Sequence, residues 1–347
     1  MTNRNIIVVG ASAGGVTALI NLVKSIPANF EGTIFIVLHI APYSPNYLPD
    51  ILRRAGHLMV MEPKNGEKIK QAAIYIAPPD HHMLIEHGRV IITKGPKENR
   101  FRPSIDALFR SAAYIYKQQV IGIVLSGLLD DGTSGLWIIK RLGGICMIQQ
   151  PSDAEFPSMP ESVLQYVEVD YSVPVSVMGG ILQKLTEEKI NGKSAVTDKE
   201  LKLLEVEVAI ATEDGAFDKG VLDMGQLTPF TCPDCHGALV QLIEGKIIRF
   251  RCHTGHAYTV SSLLADVSKN VEGTLWQAVR GLEEGTMLLQ KLADLYAANG
   301  SKEDAALFKN KAKIIAERAR ILHNAVFVQE SLSEDIRHKD LNKAHNK

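Results

Sequence analysis

The sequence has little excess charge, no long apolar run and few cysteines. Its 38 lysines and arginines nearly balance 39 aspartates and glutamates, which gives a formal net charge of −1 over 347 residues. No basic cluster stands out, so the sequence offers no electrostatic footprint for nucleic acid. No apolar run reaches the length of a membrane span, and the first apolar run begins too early to leave room for a signal peptide. These absences predict a cytoplasmic protein that neither binds nucleic acid nor spans a membrane.

The four cysteines argue against a disulfide-stabilised fold. Cys232, Cys235 and Cys252 fall in one short segment with the spacing of metal ligands, whereas Cys146 lies alone in an apolar stretch. This distribution favours a reducing compartment. The remaining composition is that of a globular protein, because 46% of the residues are hydrophobic and the length suffices for two domains.

Short apolar runs alternate with amphipathic stretches from residue 5 to about residue 181. This alternation predicts an α/β domain with a doubly wound, mostly parallel sheet, whose functional sites lie at the carboxyl ends of the strands. A hairpin is expected beside the sheet over residues 83–93. The predicted strands span residues 6–9, 33–38, 73–76, 120–125 and 144–148, and the predicted helices span residues 16–26, 45–55, 105–117 and 133–141.

The first predicted strand ends in a glycine-rich turn that carries Ser12. A serine on a tight strand-to-helix turn stands clear of its neighbours, and the amides of the first helical turn can stabilise an oxyanion beside it. The alternative is a phosphate-cradling turn of a nucleotide-binding unit. Nucleotide binding is disfavoured because the sequence has no Walker lysine, and His39 occupies the strand end where an acidic ribose-binding residue belongs.

Three polar residues follow predicted strands at their carboxyl ends. Ser12 follows the first strand, His39 ends the second, and Asp131 follows the run at 120–125 after a short turn. Such residues need only converge in space to act as nucleophile, base and orienting acid. Taken singly, His39 also fits a structural histidine, and Asp131 also fits the N-cap of the helix predicted to begin at Thr133. Together the three residues favour acyl transfer.

Several motifs, in one order, resemble the catalytic domain of the CheB-type protein-glutamate methylesterases of bacterial chemotaxis. They are Gly-Ala-Ser-x-Gly-Gly at 10–15, a strand that ends in His39, Ile-Ala-Pro-Pro-Asp-His-His-Met at 76–83, the stretch 95–109 that ends in Arg-Pro-Ser-Ile-Asp-Ala-Leu-Phe, and Leu-Ser-Gly-Leu-Leu-Asp-Asp-Gly at 125–132. The resemblance covers about residues 4–185. It implies hydrolysis of γ-glutamyl methyl esters on chemoreceptor helices, without a cofactor, and some members of the family also deamidate glutamine.

The resemblance also assigns roles by position. Ser12 becomes the nucleophile, His39 the general base and Asp131 its partner. The oxyanion hole is expected at the backbone amides near Ala13 and Leu128.

The resemblance places the segment that holds Arg102 near the rim of the site. Arg102 then either contacts an acidic receptor helix or braces its own loop. His81 and His82 lack partners at metal-ligand spacing, so structural or surface roles are favoured for them.

The sequence departs from the family at two places. Residues 128–130 are Leu-Leu-Asp where members usually carry Met-Gly-Asn, which puts the rate and the substrate range in doubt. The receiver domain that precedes the catalytic domain in typical members is absent from the sequence. The mode of regulation is therefore open.

A second unit is predicted beyond a linker at 186–225, after the catalytic domain at 1–185. The segment 226–262 carries two turns with cysteine and histidine on either side of a predicted hairpin, an arrangement that suits structural Zn²⁺. The alternatives are reduced cysteines in an ordinary hairpin and a nucleic-acid-binding ribbon, for which basic residues are few. The favoured ligands are Cys232, Cys235, Cys252 and His256, and the less favoured ones are His236 and His253.

Residues 263–335 predict an antiparallel helical hairpin. Two apolar stripes step by three and four residues, Asn299-Gly300 separates them, and Ser301 with Asp304 resembles a capping box. The stripes are expected to bury each other, and a surplus apolar face that includes Trp276 is a candidate surface for a partner helix or for self-association. A charged tail is expected at 336–347.

Two functions of different classes are therefore weighed. The first is a serine hydrolase that removes methyl esters from glutamyl side chains of a chemoreceptor-like helical protein and that also deamidates glutamine if it follows those family members. The second is a regulatory scaffold with a weak or inactive esterase site, which binds partners through its zinc and helical segments. The presence of all three candidate catalytic residues favours the hydrolase.

Overall fold

A computed structural model describes residues 3–190, 194–212 and 216–328. This part of the chain forms two compact units, of which the first runs to Leu263 and the second begins at Leu264. The predicted charged tail at 336–347 lies outside the described residues, as do the last residues of the predicted hairpin.

The chain alternates between strands and helices as far as residue 187, as the sequence predicts. The strands are β1 (Ile6–Ala11), β2 (Thr33–Leu38), β3 (Met59–Met61), β4 (Glu67–Lys68), β5 (Ala73–Ile76), β6 (His82–Glu86), β7 (Arg89–Thr93), β8 (Val120–Val124), β9 (Ile145–Gln149), β10 (Tyr171–Val173), β11 (Gln226–Thr231), β12 (Ala238–Glu244), β13 (Ile247–Cys252) and β14 (Ala257–Thr259). The α-helices are α1 (Gly15–Ser25), α2 (Leu48–Ala55), α3 (Ile105–Tyr116), α4 (Thr133–Arg141), α5 (Ser158–Tyr166), α6 (Val175–Glu187), α7 (Asp198–Thr212), α8 (Val260–Ala298) and α9 (Lys302–Val328).

A seven-stranded sheet with the order β10-β9-β8-β1-β2-β5-β3 forms the centre of the first unit. All its pairings are parallel, which confirms the predicted doubly wound α/β fold. Helices cover both faces: residues of α1, α2 and α6 pack in one core cluster, and residues of α3, α4 and α5 pack in the other. Strand β1 is therefore buried throughout, which explains its unbroken apolar run.

The strand order decides where the site lies. Strand β1 pairs with β2 on one side and with β8 on the other. Because parallel strands end at the same edge of a sheet, the three turns that follow β1, β2 and β8 are neighbours. A small antiparallel sheet of order β4-β7-β6 stands apart from this sheet and contains the predicted hairpin.

Helix α7 lies inside the segment 186–225 that the sequence assigns to a linker. Its start is a reciprocal cap, since the Thr197 N–H donates to Glu200 Oε2 at 2.7 Å and the Glu200 N–H donates to Thr197 Oγ1 at 3.3 Å. The helix packs against α3 and buries Leu204 and Glu207. This part of the segment is thus a packed layer of the first unit.

The antiparallel sheet of strands β11-β12-β13-β14, here called the ribbon (residues 226–259), also belongs to the first unit. Gly245, with a φ of 63°, forms the turn between β12 and β13 where the hairpin is predicted. The ribbon meets the α/β domain through its backbone: the Asn99 N–H donates to Ala257 O at 2.7 Å, and the Ala257 N–H donates to Lys97 O at 3.1 Å.

The second unit contains the helical hairpin that the sequence predicts. Helix α8 ends and α9 begins around Gly300, whose φ is 82°, and the Ser301 hydroxyl donates to Asp304 Oδ2 at 2.6 Å. The two predicted stripes contribute buried residues to both helices, Val279 and Ala293 on α8 and Ala312 and Ala319 on α9. Trp276 contacts His323 and Phe327 edge to face. Within the described residues, no helix combines the length and the apolar character needed to cross a membrane.

Candidate active site

Ser12, His39 and Asp131 converge at the carboxyl edge of the central sheet. His39 Nδ1 lies 3.2 Å from Ser12 Oγ, and His39 Nε2 lies 2.8 Å from Asp131 Oδ2. Because an ionised carboxylate only accepts hydrogen bonds, Nε2 carries the imidazole proton and Nδ1 presents its lone pair to the serine hydroxyl. The three groups thus stand in the order nucleophile, base and orienting acid.

Tight backbone turns position Ser12. Its N–H donates to Ser126 O at 3.0 Å, which ties the turn after β1 to the turn after β8. Gly14 precedes α1 with a φ of 70°, a conformation that residues with a Cβ seldom adopt. A Cβ on Gly127 would lie 2.9 Å from the Cβ of Ser12 and would overlap Met159 Sδ. The nucleophile therefore requires glycine on both of these turns.

The His39 ring is held by its backbone and by an aromatic neighbour. The His39 N–H donates to Ala11 O at 3.1 Å, which continues the pairing of β2 with β1 beyond the end of the strand. The Phe101 ring stacks on the imidazole with 3.7 Å between the ring centroids and 7° between the ring planes. The sequence does not single out Phe101, because only the fold brings the turn at 98–101 over His39.

Asp131 is buried against the N-terminus of α3. Its Oδ1 accepts from Asn99 Nδ2 at 2.8 Å, from the Ser104 hydroxyl at 3.2 Å and from the Asp106 N–H at 3.2 Å, and its Oδ2 accepts from the Ile105 N–H at 2.8 Å. The first turn of a helix favours negative charge. The sequence also fits Asp131 as the N-cap of the helix at Thr133. The N-cap of that helix, α4, is instead Gly132, and the Asp131 carboxylate bonds to the first turn of α3.

The electrostatics keep Asp131 ionised. Burial alone would raise the pKa of its carboxyl, but the hydrogen bond and charge of His39 outweigh burial, together with the bonds from Asn99 and Ile105, and lower the pKa below its usual value. Burial and the adjacent Asp131 carboxylate raise the pKa of Asp106 to about 8. Asp106 accepts from the Gly132 N–H at 3.0 Å and thereby braces the turn that carries Asp131.

The predicted oxyanion amides lie in the turns after β1 and β8. In the part of the chain that the structure describes, neither the Ala13 N–H nor the Leu128 N–H donates to another protein group. The Ala13 carbonyl accepts from the Ser126 hydroxyl at 2.8 Å, so this turn is fixed while its amide stays available. Available amides beside a nucleophile are what oxyanion stabilisation requires.

The other polar residues named by the sequence have structural contacts. Arg102 donates to Asp80 Oδ1 at 2.7 Å from Nη2 and to Gly95 O at 2.9 Å from Nη1, which are the contacts of a loop brace. His82 is fully buried and donates from Nε2 to Pro96 O at 2.8 Å, and its burial lowers its pKa. His81 bonds to the carbonyl of Pro79 in its own turn.

A second cluster forms in the ribbon, where the ligand atoms of Cys232, Cys235, Cys252 and His256 lie within 4.8 Å of one another. Cys235 Sγ lies 3.6 Å from Cys252 Sγ, and His256 Nδ1 lies 3.7 Å and 3.5 Å from the sulfurs of Cys232 and Cys252. A tetrahedral zinc with Zn–S bonds of about 2.3 Å and Zn–N bonds of about 2.0–2.1 Å has ligand–ligand edges of about 3.5–3.8 Å. The donor set and its spacing thus fit a structural metal ion.

A serine, a histidine and an aspartate lie in contact at the carboxyl edge of a parallel α/β sheet. This combination of fold and site is typical of hydrolases. The family model described as CheB methylesterase matches residues 7–182, and the chain belongs to this family.

Two relatives and one solved structure show how far the similarity extends. A protein of Leptospira interrogans is 34% identical over 189 residues, which cover 54% of this chain and 98% of that protein. A protein of Thermotoga maritima named protein-glutamate methylesterase/protein-glutamine glutaminase is 34% identical over 173 residues, which cover 49% of this chain and 50% of the relative. The crystal structure of a Thermotoga maritima CheB methylesterase catalytic domain superposes with a TM-score of 0.51 at 32% identity, over 53% of this chain and all of that domain.

Proposed function

We propose that this protein is a protein-glutamate methylesterase, with glutamine deamidation as a second reaction of the same site. The observation that carries the proposal is the continuous contact from Ser12 through His39 to Asp131, at 3.2 Å and 2.8 Å, in a chain of the CheB methylesterase family. The substrate is a methylated chemoreceptor or a related helical protein in the cytoplasm. Relatives named for both activities support this assignment.

The proposed reaction begins with attack of Ser12 Oγ on the ester carbonyl carbon while His39 Nδ1 takes the hydroxyl proton. The Ala13 and Leu128 amides stabilise the oxyanion, and the Asp131 carboxylate stabilises the imidazolium. When the tetrahedral species collapses, methanol leaves with the proton from His39 and a glutamyl ester of Ser12 remains. A water that gives a proton to His39 then attacks this ester, and when the second tetrahedral species collapses, Ser12 Oγ leaves with the proton from His39 and the substrate protein retains a glutamate side chain. With a glutamine substrate, ammonia leaves in place of methanol.

Methanol release from a methyl-esterified receptor preparation tests this function. We expect Ser12→Ala and His39→Ala to abolish release. Ser25→Ala is the matched control, because the Ser25 hydroxyl bonds to the Leu22 carbonyl within α1 and has no part in the reaction. Full activity of Ser12→Ala would refute the assignment. A wild type that neither releases methanol nor reacts at Ser12 with a fluorophosphonate would favour the scaffold alternative, which neither the fold nor the relatives support.

We further propose that the ribbon holds one structural Zn²⁺ through Cys232, Cys235, Cys252 and His256. The core of the ribbon is small, so bound metal would contribute much of its folding free energy. Metal content per chain tests the site. We expect Cys235→Ser to lose the metal and His253→Ala, the matched control from the same turn region, to retain it. Retention of the metal by Cys235→Ser would contradict the ligand set.

A further inference from the structure

Residues 97–101, here called the strap, lie between the catalytic residues and the ribbon. On the catalytic side, Asn99 Nδ2 donates to Asp131 Oδ1 at 2.8 Å and the Phe101 ring stacks on His39. The strap therefore touches both the acid and the base of the proposed triad. Asn99 is buried and bonds to Asp131, so it acts by positioning another residue.

The ribbon holds the opposite side of the strap through β14. The Thr259 N–H donates to Asn99 Oδ1 at 3.0 Å, so the two ends of one amide side chain join the ribbon to Asp131. The Thr259 hydroxyl donates to Asp130 Oδ1 at 2.7 Å, next to the catalytic aspartate. Two backbone bonds between Ala257 and the strap, at 2.7 Å and 3.1 Å, add to this attachment.

The backbone of the strap is in an unfavourable conformation. Asn99 and Arg100 follow each other with φ values of 50° and 76°, a region that residues with a Cβ seldom occupy. Such a conformation persists only where the surroundings impose it. Here Glu98 and Phe101 exchange backbone bonds across the turn, and Ala257 adds two backbone bonds from the ribbon. Without the ribbon, the strap would lose both bonds to Ala257 and the bond from the Thr259 N–H.

Charge complementarity shows that the α/β domain is built to receive the ribbon. Glu98 of the strap and Glu207 of α7 are buried, and they pair with Arg251 of β13 at 2.9 Å and 2.5 Å. Arg249 of β13 also pairs with Glu207, at 3.1 Å. Arg110 of α3 pairs with Glu98 from the domain side. Buried carboxylates require such partners, so the domain surface is incomplete without the two ribbon arginines.

We propose that the ribbon is part of the catalytic unit: Thr259 and Asn99 are positioning residues that hold Asp131 and the strap in place, and the rate of the esterase depends on the ribbon being folded around its metal. This inference rests on the proposed function. It gives the chain a metal-dependent control of catalysis that acts at a distance from the reacting atoms.

Thr259→Val tests the positioning role with little change of volume, because it removes the hydroxyl bond to Asp130 together with the bonds of that hydroxyl to Ser262 at the start of α8. Thr228→Val is the matched control: Thr228 lies in β11 at the opposite edge of the ribbon, and its hydroxyl bonds to Leu239 O within the ribbon. Thr259→Ser, which keeps the hydroxyl, should restore the wild-type values. We expect Thr259→Val to lower kcat about fivefold to tenfold with KM and metal content unchanged, the loss typical of one hydrogen bond.

Two readouts that do not depend on the natural substrate separate this inference from the proposed function. One is the rate at which a fluorophosphonate labels Ser12. The other is the low-field proton resonance of the bond between His39 Nε2 and Asp131, assigned by its loss in His39→Ala. We expect Thr259→Val to slow the labelling and shift the resonance. If the wild type is labelled but releases no methanol, the proposed substrate is wrong while the inference stands.

Removal of the metal from the full-length protein with a chelator is the second test. Removal of the metal should slow Ser12 labelling and broaden or shift the His39 resonance, and added Zn²⁺ should reverse both changes. Asn99→Asp covers the case in which Thr259→Val fails to fold, since it keeps the acceptor for the Thr259 N–H but turns a carboxylate oxygen toward Asp131. Unchanged labelling and an unchanged resonance in Asn99→Asp, or in the metal-free protein, would overturn the proposal.

Discussion

The orientation of the His39 ring depends on residues from three separate parts of the chain. Its Nε2–H bonds to Asp131, its Nδ1 faces Ser12, Phe101 covers one face, and its backbone N–H bonds to Ala11. The His39 and Asp131 side chains are each only 2% exposed. A ring held in this way keeps one tautomer and one direction, which the proton transfers of the proposed reaction require.

Gly127→Ala is expected to impair the site through the nucleophile. The added Cβ would overlap Met159 Sδ and approach the Cβ of Ser12 to 2.9 Å, so the turn that carries Ser12 must shift. A shift of this kind away from productive geometry lowers rates by about 10²-fold. Methanol release and Ser12 labelling should both fall.

Gly180→Ala is the matched control for this substitution. Gly180 lies in α6, and its added Cβ would meet no atom within 4 Å. Alanine is favoured over glycine inside a helix, so we expect a gain of about 0.5–1 kcal/mol in the free energy of unfolding and an unchanged rate. A Gly127→Ala protein as active as Gly180→Ala would show that the turn has room that the structure does not indicate.

For single residues, the sequence predicts the functional side chains that follow the ends of strands. Ser12 and His39 directly follow strongly apolar strands and Asp131 follows β8 after a short turn, so the strand order brings the three turns together. Asn99 and Phe101 belong to the quoted motif at 95–109, but nothing local shows that one would bond to Asp131 and the other stack on His39. Their roles depend on a turn of positive φ and on a ribbon more than 150 residues away, as the Arg251–Glu98 bond illustrates.

The attachment of the ribbon is expected to weaken in acid. Burial alone would raise the pKa of Glu98 and of Glu207, but the charges of Arg110, Arg249 and Arg251 outweigh burial and hold both pKa values well below their usual range. Because the folded pKa is the lower one, this stabilisation is fully present above the unfolded pKa of about 4.3 and is lost as the pH falls toward the folded values.

Glu207→Gln tests this dependence. It leaves three buried arginines, Arg110, Arg249 and Arg251, short of one carboxylate. We therefore expect a loss of about 3–5 kcal/mol in the free energy of unfolding near neutral pH and a shallower slope below pH of about 4.3. Urea unfolding across that range measures both quantities. Glu86→Gln changes an exposed carboxylate at the end of β6, and the free energy of unfolding of this variant should depend on pH as that of the wild type does. A Glu207→Gln slope equal to that of the wild type would contradict the assignment.

The sequence predicts helices and strands correctly where a single hydrophobic periodicity dominates a segment. The helix predicted at 133–141 matches α4, and the strands predicted at 33–38 and 73–76 match β2 and β5. Strand β10 was missed because it has only three residues, none of them fully buried, so no apolar run marks it. The sequence assigns the segment that holds helix α7 to a linker, because the buried Glu207 makes the inward face of the helix look polar until its arginine partners are known.

The chain divides into two units, and the candidate site belongs to the first. Every contact described for the catalytic residues, the strap and the ribbon lies in the first unit, which ends at Leu263. The sequence places its domain boundaries differently, since it treats the ribbon as separate from the catalytic domain, and those boundaries remain a prediction. The ion pairs that join the ribbon to the α/β domain connect residues far apart in sequence and leave no local signal.

Val279→Asp tests the independence of the two units. Val279 is 3% exposed on the stripe of α8, so a carboxylate there would be buried without a partner, and we expect the hairpin to lose helical content in circular dichroism. Ser12 labelling should keep its wild-type rate, because the first unit retains all of the contacts that position the triad. Gln290→Asp, on an exposed face of the same helix, is the matched control and should alter neither quantity. If labelling fell with the hairpin, the second unit would be a structural requirement of the site. If labelling persisted and only hydrolysis of the receptor ester fell, the hairpin would be the surface that brings the substrate protein to Ser12.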